Sequence, residues 1–168
     1  RERLDKVMIG NPEQDNVRMG PVVGLDQRRD VLGHVKALRT EAQLVAGDPD
    51  NFDVQGADVV RGAFVPPILL HCANPNQATR VHSIEAFGPV STVMGYSDLE
   101  EAVTLTNRGG GSLVASVYTH DPKVASDLVF GVSSFHGRLV LIDRDCAKEQ
   151  TGHGSPMPQM VHGGPGRA

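Results

Sequence analysis

The 168-residue sequence contains no tryptophan, two tyrosines and five phenylalanines, so aromatic residues supply only 4% of it. Stacking platforms for bases or sugars need several such rings, and their scarcity argues against that kind of surface. Cysteine is as sparse. Cys72 and Cys146 lie in unrelated contexts with no metal-type spacing, which fits a reduced compartment better than a disulfide framework. No apolar run approaches membrane-span length and no signal-peptide pattern occurs, so a membrane partner is not expected and the cytoplasm is the default. Basic residues number 16 against 20 acidic ones, a net charge of −4, and they form no cluster, so no nucleic-acid partner is expected. Internal repeats, low-complexity tracts and a Gly-x-Gly-x-x-Gly dinucleotide fingerprint are absent.

What is present describes an ordinary globular chain, with 39% apolar and 21% charged residues. The length suits one domain with a real core, or a piece of a larger one. Arg1–Val7 reads as the last turns of a helix already under way, and Gly163–Ala168 as a loop, which together suggest a fragment. Residues 10–24 are rich in Gly, Pro and Asn and predict a loop. Asp26 is placed as the N-cap of a helix whose apolar face is Leu32, Val35, Leu38 and Ala42. Gly47–Asp58 predicts a surface excursion, and Ala63–Leu70 an extended run that Pro66 and Pro67 confine to an edge or a bend.

From Val90 the pattern sharpens. Val90–Tyr96 is a candidate strand. Ser97 with Glu100 makes a capping box for a helix with Leu99, Ala102, Val103 and Thr106 on one face. Leu113–Tyr118 is a second strand, and Asp121 with Pro122 opens a second helix whose apolar face is Val124, Ala125, Leu128, Val129 and Val132. Leu139–Ile142, apolar on both faces, suits a central parallel strand. Strand, helix, strand, helix, strand with short connections implies an α/β fold with a mainly parallel sheet flanked by helices.

The chain is organised around Glu85-Ala86-Phe87-Gly88-Pro89-Val90. Gly88 frees the backbone and Pro89 fixes φ, so a buried-looking Phe87 should lead through a rigid bend into a strand. Glu85 would then stand at the strand mouth, where α/β proteins place ligand-binding groups. Gly109-Gly110-Gly111-Ser112 follows a helix and precedes a strand, the wrong order for a phosphate cradle, and is taken as a helix stop plus loop. Cys146, His153 and His162 share a glycine-rich tail whose spacing matches no zinc pattern, so no metal is expected.

Glu85–Val90 resembles the Glu-x-Phe-Gly-Pro motif of the aldehyde dehydrogenase superfamily. Ile9-Gly10-Asn11-Pro12 with Met19-Gly20-Pro21-Val22-Val23 is similar to its Gly-(Asp/Asn)-Pro and Gly-Pro-(Leu/Val) pair. Gly111–Thr119 resembles its Gly-Leu-x-x-x-Val-(Phe/Tyr)-Thr strand. Thr151–Gly154 and His162–Ala168 look like the aldehyde dehydrogenase half of bifunctional ring-opening proteins of phenylacetate breakdown. The resemblance implies that residues 1–168 are a truncated, C-terminal part of the catalytic domain. Most of the dinucleotide-binding domain, the Gly-Gln-x-Cys nucleophile segment, the general-base Glu and the oligomerising strand are missing.

In that family a cysteine thiolate attacks the aldehyde, hydride passes to NAD or NADP, and a carboxylate-activated water releases the acid. The resemblance assigns Glu85 to the nicotinamide-ribose hydroxyls and Phe87 to the side of the nicotinamide. Cys72 is read as a buried small hydrophobe. The loop Arg144–Pro158 is expected to shape the aldehyde entrance, with Arg144, Cys146, Lys148 and His153 along it. The expected whole is a homo-oligomeric enzyme acting on a small-molecule aldehyde, such as a coenzyme A-linked semialdehyde. The fragment alone should be inactive. A non-catalytic α/β binding or assembly module stays open beside this reading, and a fused hydratase or hydrolase domain would lie outside these residues.

Overall fold

The computed structural model describes residues 1–146, and these form two compact units that part between Gly95 and Tyr96. In the first unit, helix α1 (Leu25–Leu38) is followed by strands β1 (Gln43–Ala46) and β2 (Ile68–Cys72), a single turn of helix α2 (Arg80–Ser83) and strand β3 (Val90–Met94). The sheet order is β1-β2-β3, with β1 antiparallel and β3 parallel to β2. Alternation decides which face of β2 is covered: Ile68, Leu70 and Cys72 are buried while His71 points to solvent. Val31, Val35 and Leu38 of α1 pack on that face, one helical stripe against one strand face. Burial of each such aliphatic side chain contributes about 1.5–3 kcal/mol. Cys72 is a core residue, as its apolar setting predicts.

Several local expectations shift. α1 starts after Gly24, which offers no side-chain cap; Asp26 lies in the first turn and pairs with Arg29 at 2.8 Å. Its buried face runs through Val31 rather than Leu32, which is only half-buried. Pro66 and Pro67 do not consign their segment to an edge. They end just before β2, whose own residues all carry N–H groups, so β2 is bonded on both sides and is the central strand. Arg1–Val7 forms hydrogen-bonded turns instead of a helix. The loop after it is held by backbone pairing of Ile9 with Met19 and of Gly10 with Gln55. At Gly10 a β-carbon would sit 2.1 Å from the Gln55 carbonyl oxygen, so only glycine fits this approach.

α2 is too short to persist by itself, and what holds it is distant. One carboxylate oxygen of Glu41 accepts from the backbone N–H groups of Thr79 at 3.0 Å, Arg80 at 2.8 Å and Val81 at 3.3 Å. Arg80 also donates to the Thr40 hydroxyl at 3.1 Å. These bonds clip the α1–β1 turn to the crossover between β2 and β3.

The second unit contains α3 (Leu99–Arg108), β4 (Ala115–Tyr118), α4 (Pro122–Val132), a 3-10 turn (Ser133–Phe135) and β5 (Leu139–Ile142). β4 and β5 pair in parallel through the α4 crossover, and β5 has no other strand partner among the described residues. The α3 cap lies one residue later than the sequence pattern suggests: Asp98 accepts from Glu101 N–H at 2.8 Å, and Glu101 accepts from Ser97 N–H. The buried residues of α3 are Ala102 and Leu105, with Thr106 exposed. Asp121 caps α4 through the N–H groups of Lys123 and Val124, with Pro122 in the first turn, as expected. Gly109–Gly111 ends α3 as a loop, with φ positive at Gly110 and Gly111. No helix among the described residues is long and apolar enough to cross a membrane.

Partial desolvation would raise the Glu41 pKa, but the Val81, Thr79 and Arg80 amides outweigh it and hold the carboxyl below its usual 4.5. A depressed carboxylate pKa contributes stability above the unfolded value, and that contribution is lost as pH falls through the folded value. Glu41→Gln should therefore lower Tm near neutral pH, with Glu41→Ala lower still. The gap to wild type should close in acid below 4.5. Circular-dichroism melts of the three chains across that range check it.

Candidate functional site

Residues 85–89 carry the chain from α2 into β3, and their exposure alternates. Ala86 points into the core with Val31, Ile84 and Val90, while Glu85 and Phe87 on either side of it are exposed. The N–H of Val90 donates to the Gly88 carbonyl at 2.7 Å, closing a tight turn around Pro89. The Pro89 carbonyl accepts from Ile68 N–H at 2.8 Å, which joins the turn to the start of β2.

Helix α1 clamps the other side of the bend. Gly88 lies directly on Val31, so close that a β-carbon at Gly88 would stand 2.7 Å from Val31 Cγ2 and 2.9 Å from Cγ1. One turn back along the same helix face, Gln27 Nε2 donates to the Phe87 carbonyl at 2.7 Å, and its Oε1 accepts from Val23 N–H at 2.9 Å. Between these two fixings Phe87 adopts φ 53°, the left-handed region, alone among the described non-glycine residues. For a bulky L-residue that conformation costs about 1–2 kcal/mol.

One expectation is corrected here. Phe87 is not a buried ring: it is 71% exposed, because Ala86 takes the inward position and the turn throws both neighbours outward. Glu85 precedes the bend at the mouth of β3, where it was expected. That is the amino-terminal end of the strand, so the general rule that ligands bind at the carboxyl edge of a parallel sheet does not by itself supply its role. Among the described residues no side chain or backbone group hydrogen-bonds the Glu85 carboxylate, and its acceptor capacity is open to solvent.

Arg144 and Cys146 belong to the second unit, on the turn that leaves β5. Arg144 is exposed and Cys146 half-buried. Asp143 organises the turn by accepting from the N–H groups of Asp145 and Cys146, each at 2.9 Å. The Cys146 N–H, with its thiol next, holds the Asp143 carboxyl below the usual carboxylate range. The Cys146 sulfur accepts from Asp143 N–H at 3.2 Å and lies 3.8 Å from the Leu141 carbonyl oxygen, so the thiol is folded back on its own turn. Lys148 and His153, the other two residues placed at an entrance, lie outside the described residues.

The residues that sequence reasoning missed are Gln27 and Val31. Gln27 sits among Asp26, Arg28 and Arg29 and has the look of a solvated helix position. Its only sequence signal is nearness: it lies four residues beyond Met19–Val23, the segment matched to a motif.

The aldehyde dehydrogenase family model matches residues 1–134. The chain is 41% identical over 163 residues to a 3,4-dehydroadipyl-CoA semialdehyde dehydrogenase of Aromatoleum evansii, covering 97% of this chain and 32% of that protein. It is 43% identical over 151 residues to Protein MaoC of Klebsiella aerogenes, covering 89% of this chain and 43% of that protein. The chain thus spans less than half the length of either curated relative. Its fold is similar to a 1-pyrroline-5-carboxylate dehydrogenase from Thermus with bound NAD, at TM-score 0.68 and 27% identity, over 83% of this chain and 25% of that one. A Staphylococcus aureus betaine aldehyde dehydrogenase double mutant in complex with NAD+ gives TM-score 0.70 and 26% identity, over 84% and 27%.

The geometry of the bend makes two predictions. Phe87→Gly should be more stable than Phe87→Ala by about 1 kcal/mol, because glycine adopts the left-handed conformation without a β-carbon penalty. Gly88→Ala should destabilise by about 1–3 kcal/mol through overlap with Val31, and should cost less when introduced into a Val31→Ala background. Urea unfolding of the six chains, wild type and the Val31→Ala single variant included, measures both.

Proposed function

The chain belongs to the aldehyde dehydrogenase family, and on that premise we propose that it forms the cofactor-facing, C-terminal part of a catalytic domain. The whole protein would oxidise an aldehyde to the carboxylic acid with NAD or NADP. The observation that carries this reading is Phe87, an exposed ring on a backbone held at φ 53° beside the open carboxylate of Glu85. A strained, solvent-facing aromatic contributes little to folding, and such strain is found where a ligand gives it a use.

The two side chains suit a nicotinamide nucleotide. Glu85 would accept hydrogen bonds from vicinal ribose hydroxyls, which a carboxylate does with both oxygens. Phe87 would offer an apolar wall to the flat ring and limit water beside it. When bound, the cofactor supplies the hydride acceptor; the part of these residues is to seat and orient it. The nucleophile, the water-activating base and most of the dinucleotide domain would come from the rest of the protein.

A coenzyme A-linked semialdehyde of aromatic degradation is the substrate class this reading favours, supported by the similarity to the Aromatoleum 3,4-dehydroadipyl-CoA semialdehyde dehydrogenase. Arg144, exposed at the turn after β5, together with Lys148, Cys146 and His153, would line the entrance, where positive groups attract phosphates. The working assembly would be a homo-oligomer.

Glu85→Gln in the full-length protein that carries this chain tests the reading. The swap keeps volume and removes the charge that strengthens hydroxyl donation, an effect of about 1–3 kcal/mol. Hydride transfer should slow and the cofactor KM should rise, with the aldehyde KM little changed. Steady-state kinetics with each substrate varied in turn decide it; unaltered cofactor parameters would remove Glu85 from the site.

A further inference from the structure

Gln27 joins helix α1 to the left-handed residue of the bend through its amide nitrogen, and its amide oxygen is held by the loop before the helix. Its oxygen accepts from Val23 N–H at 2.9 Å and its nitrogen donates to the Phe87 carbonyl at 2.7 Å. The oxygen bond orients the amide, so that its N–H is presented to a carbonyl 60 residues away in sequence. The carbonyl that it holds belongs to Phe87 itself, whose φ of 53° turns the ring outward and the following Gly88 down onto Val31. Val23 and Phe87, the two residues whose backbones Gln27 bonds, are 99% and 71% exposed. The contact therefore buries no apolar area that would explain it as core packing.

We propose that Gln27 is a positioning residue that keeps Phe87 in its left-handed conformation, and through it sets where the Phe87 ring and the Glu85 carboxylate present themselves to the cofactor. The consequence for catalysis rests on the cofactor role proposed above; the conformational claim does not. The mechanism is mechanical. Without the bond to its carbonyl, the Phe87 peptide is free to rotate to negative φ, which relieves the β-carbon clash and swings the ring away. Helix α1 then no longer registers the bend, although Val31 and Gly88 still pack.

The difference between glycine and alanine at position 87 serves as a chemical ruler for the sign of φ there. In the otherwise wild-type chain, Phe87→Gly should have a folding equilibrium constant at least about fivefold above that of Phe87→Ala. With Gln27→Met, which keeps volume and removes both hydrogen bonds, that advantage should vanish. With Gln27→Glu, which still accepts from Val23 N–H but cannot donate to Phe87, it should vanish as well. An undiminished glycine advantage in the Gln27 variants overturns the proposal, and so does its absence in the wild-type background.

The kinetic arm uses the full-length protein. Gln27→Met should raise the cofactor KM between about threefold and tenfold while leaving the aldehyde KM unchanged, and adding Phe87→Ala should cost little more. If the ruler responds but Phe87→Ala leaves cofactor kinetics untouched, the positioning claim stands and the cofactor reading of the bend falls. If the cofactor KM rises with the ruler unmoved, Gln27 contacts the cofactor directly and the positioning claim is overturned.

Discussion

Val31 and Gly88 meet at a separation that leaves no room for a β-carbon, and the first unit is arranged around that contact. Val31 is completely buried and, being β-branched, has almost no rotamer freedom within a helix, so it cannot yield to a neighbour. Its partner must therefore be glycine. Once the two are in contact, the direction of the chain through residues 85–89 is set: Ala86 enters the core, Pro89 bonds to the start of β2, and Glu85 and Phe87 face outward. The Gly-Pro of the motif is first a packing requirement, and the outward presentation of its neighbours follows from it.

The polar contacts of the first unit bridge connections that packing alone leaves loose. Glu41 gathers three amides of the α2 turn, and Gln27 bonds both the loop before α1 and the bend after α2. Both side chains are partly accessible, and both satisfy backbone groups that would otherwise rely on water. Hydrogen bonds of this kind are individually modest, yet they select among backbone arrangements that a hydrophobic core would tolerate equally. The core holds the sheet and helix together; Glu41 and Gln27 choose the course of the chain between them.

Family membership and local geometry bear on different questions. Matches over most of this chain, at 41% and 43% identity to two relatives, fix the family and the fold class. They do not say why a phenylalanine should be exposed and left-handed. The strain at Phe87 is held in place by the Gln27 hydrogen bond and the Val31–Gly88 contact, and strain maintained in this way is found where a ligand gives it a use. Cys146 is the contrary case: its sulfur is engaged by its own turn, as suits a residue that shapes a loop more than one that attacks a carbonyl.

Features that a few adjacent residues can encode are legible in the amino-acid order alone. Asp121-Pro122 starts α4, Gly109–Gly111 stops α3, alternating strands and helices give the α/β class, and apolar neighbours put Cys72 in the core. Such signals leave the register open by one residue, as at Ser97 and Asp98, because neighbouring polar side chains compete for the same cap. Tertiary structure alone decided that the strand behind two prolines is central, that α2 exists, and that Phe87 is exposed. Each of these depends on groups far apart in the chain: β2 on its two strand partners, α2 on a carboxylate 38 residues before its first bonded amide, Phe87 on Gln27 and Val31. Periodicity and propensity report the preferences of a segment. They carry no term for a carbonyl held by a distant amide or for a glycine pressed against a valine, and those contacts are what turned Glu85 and Phe87 outward.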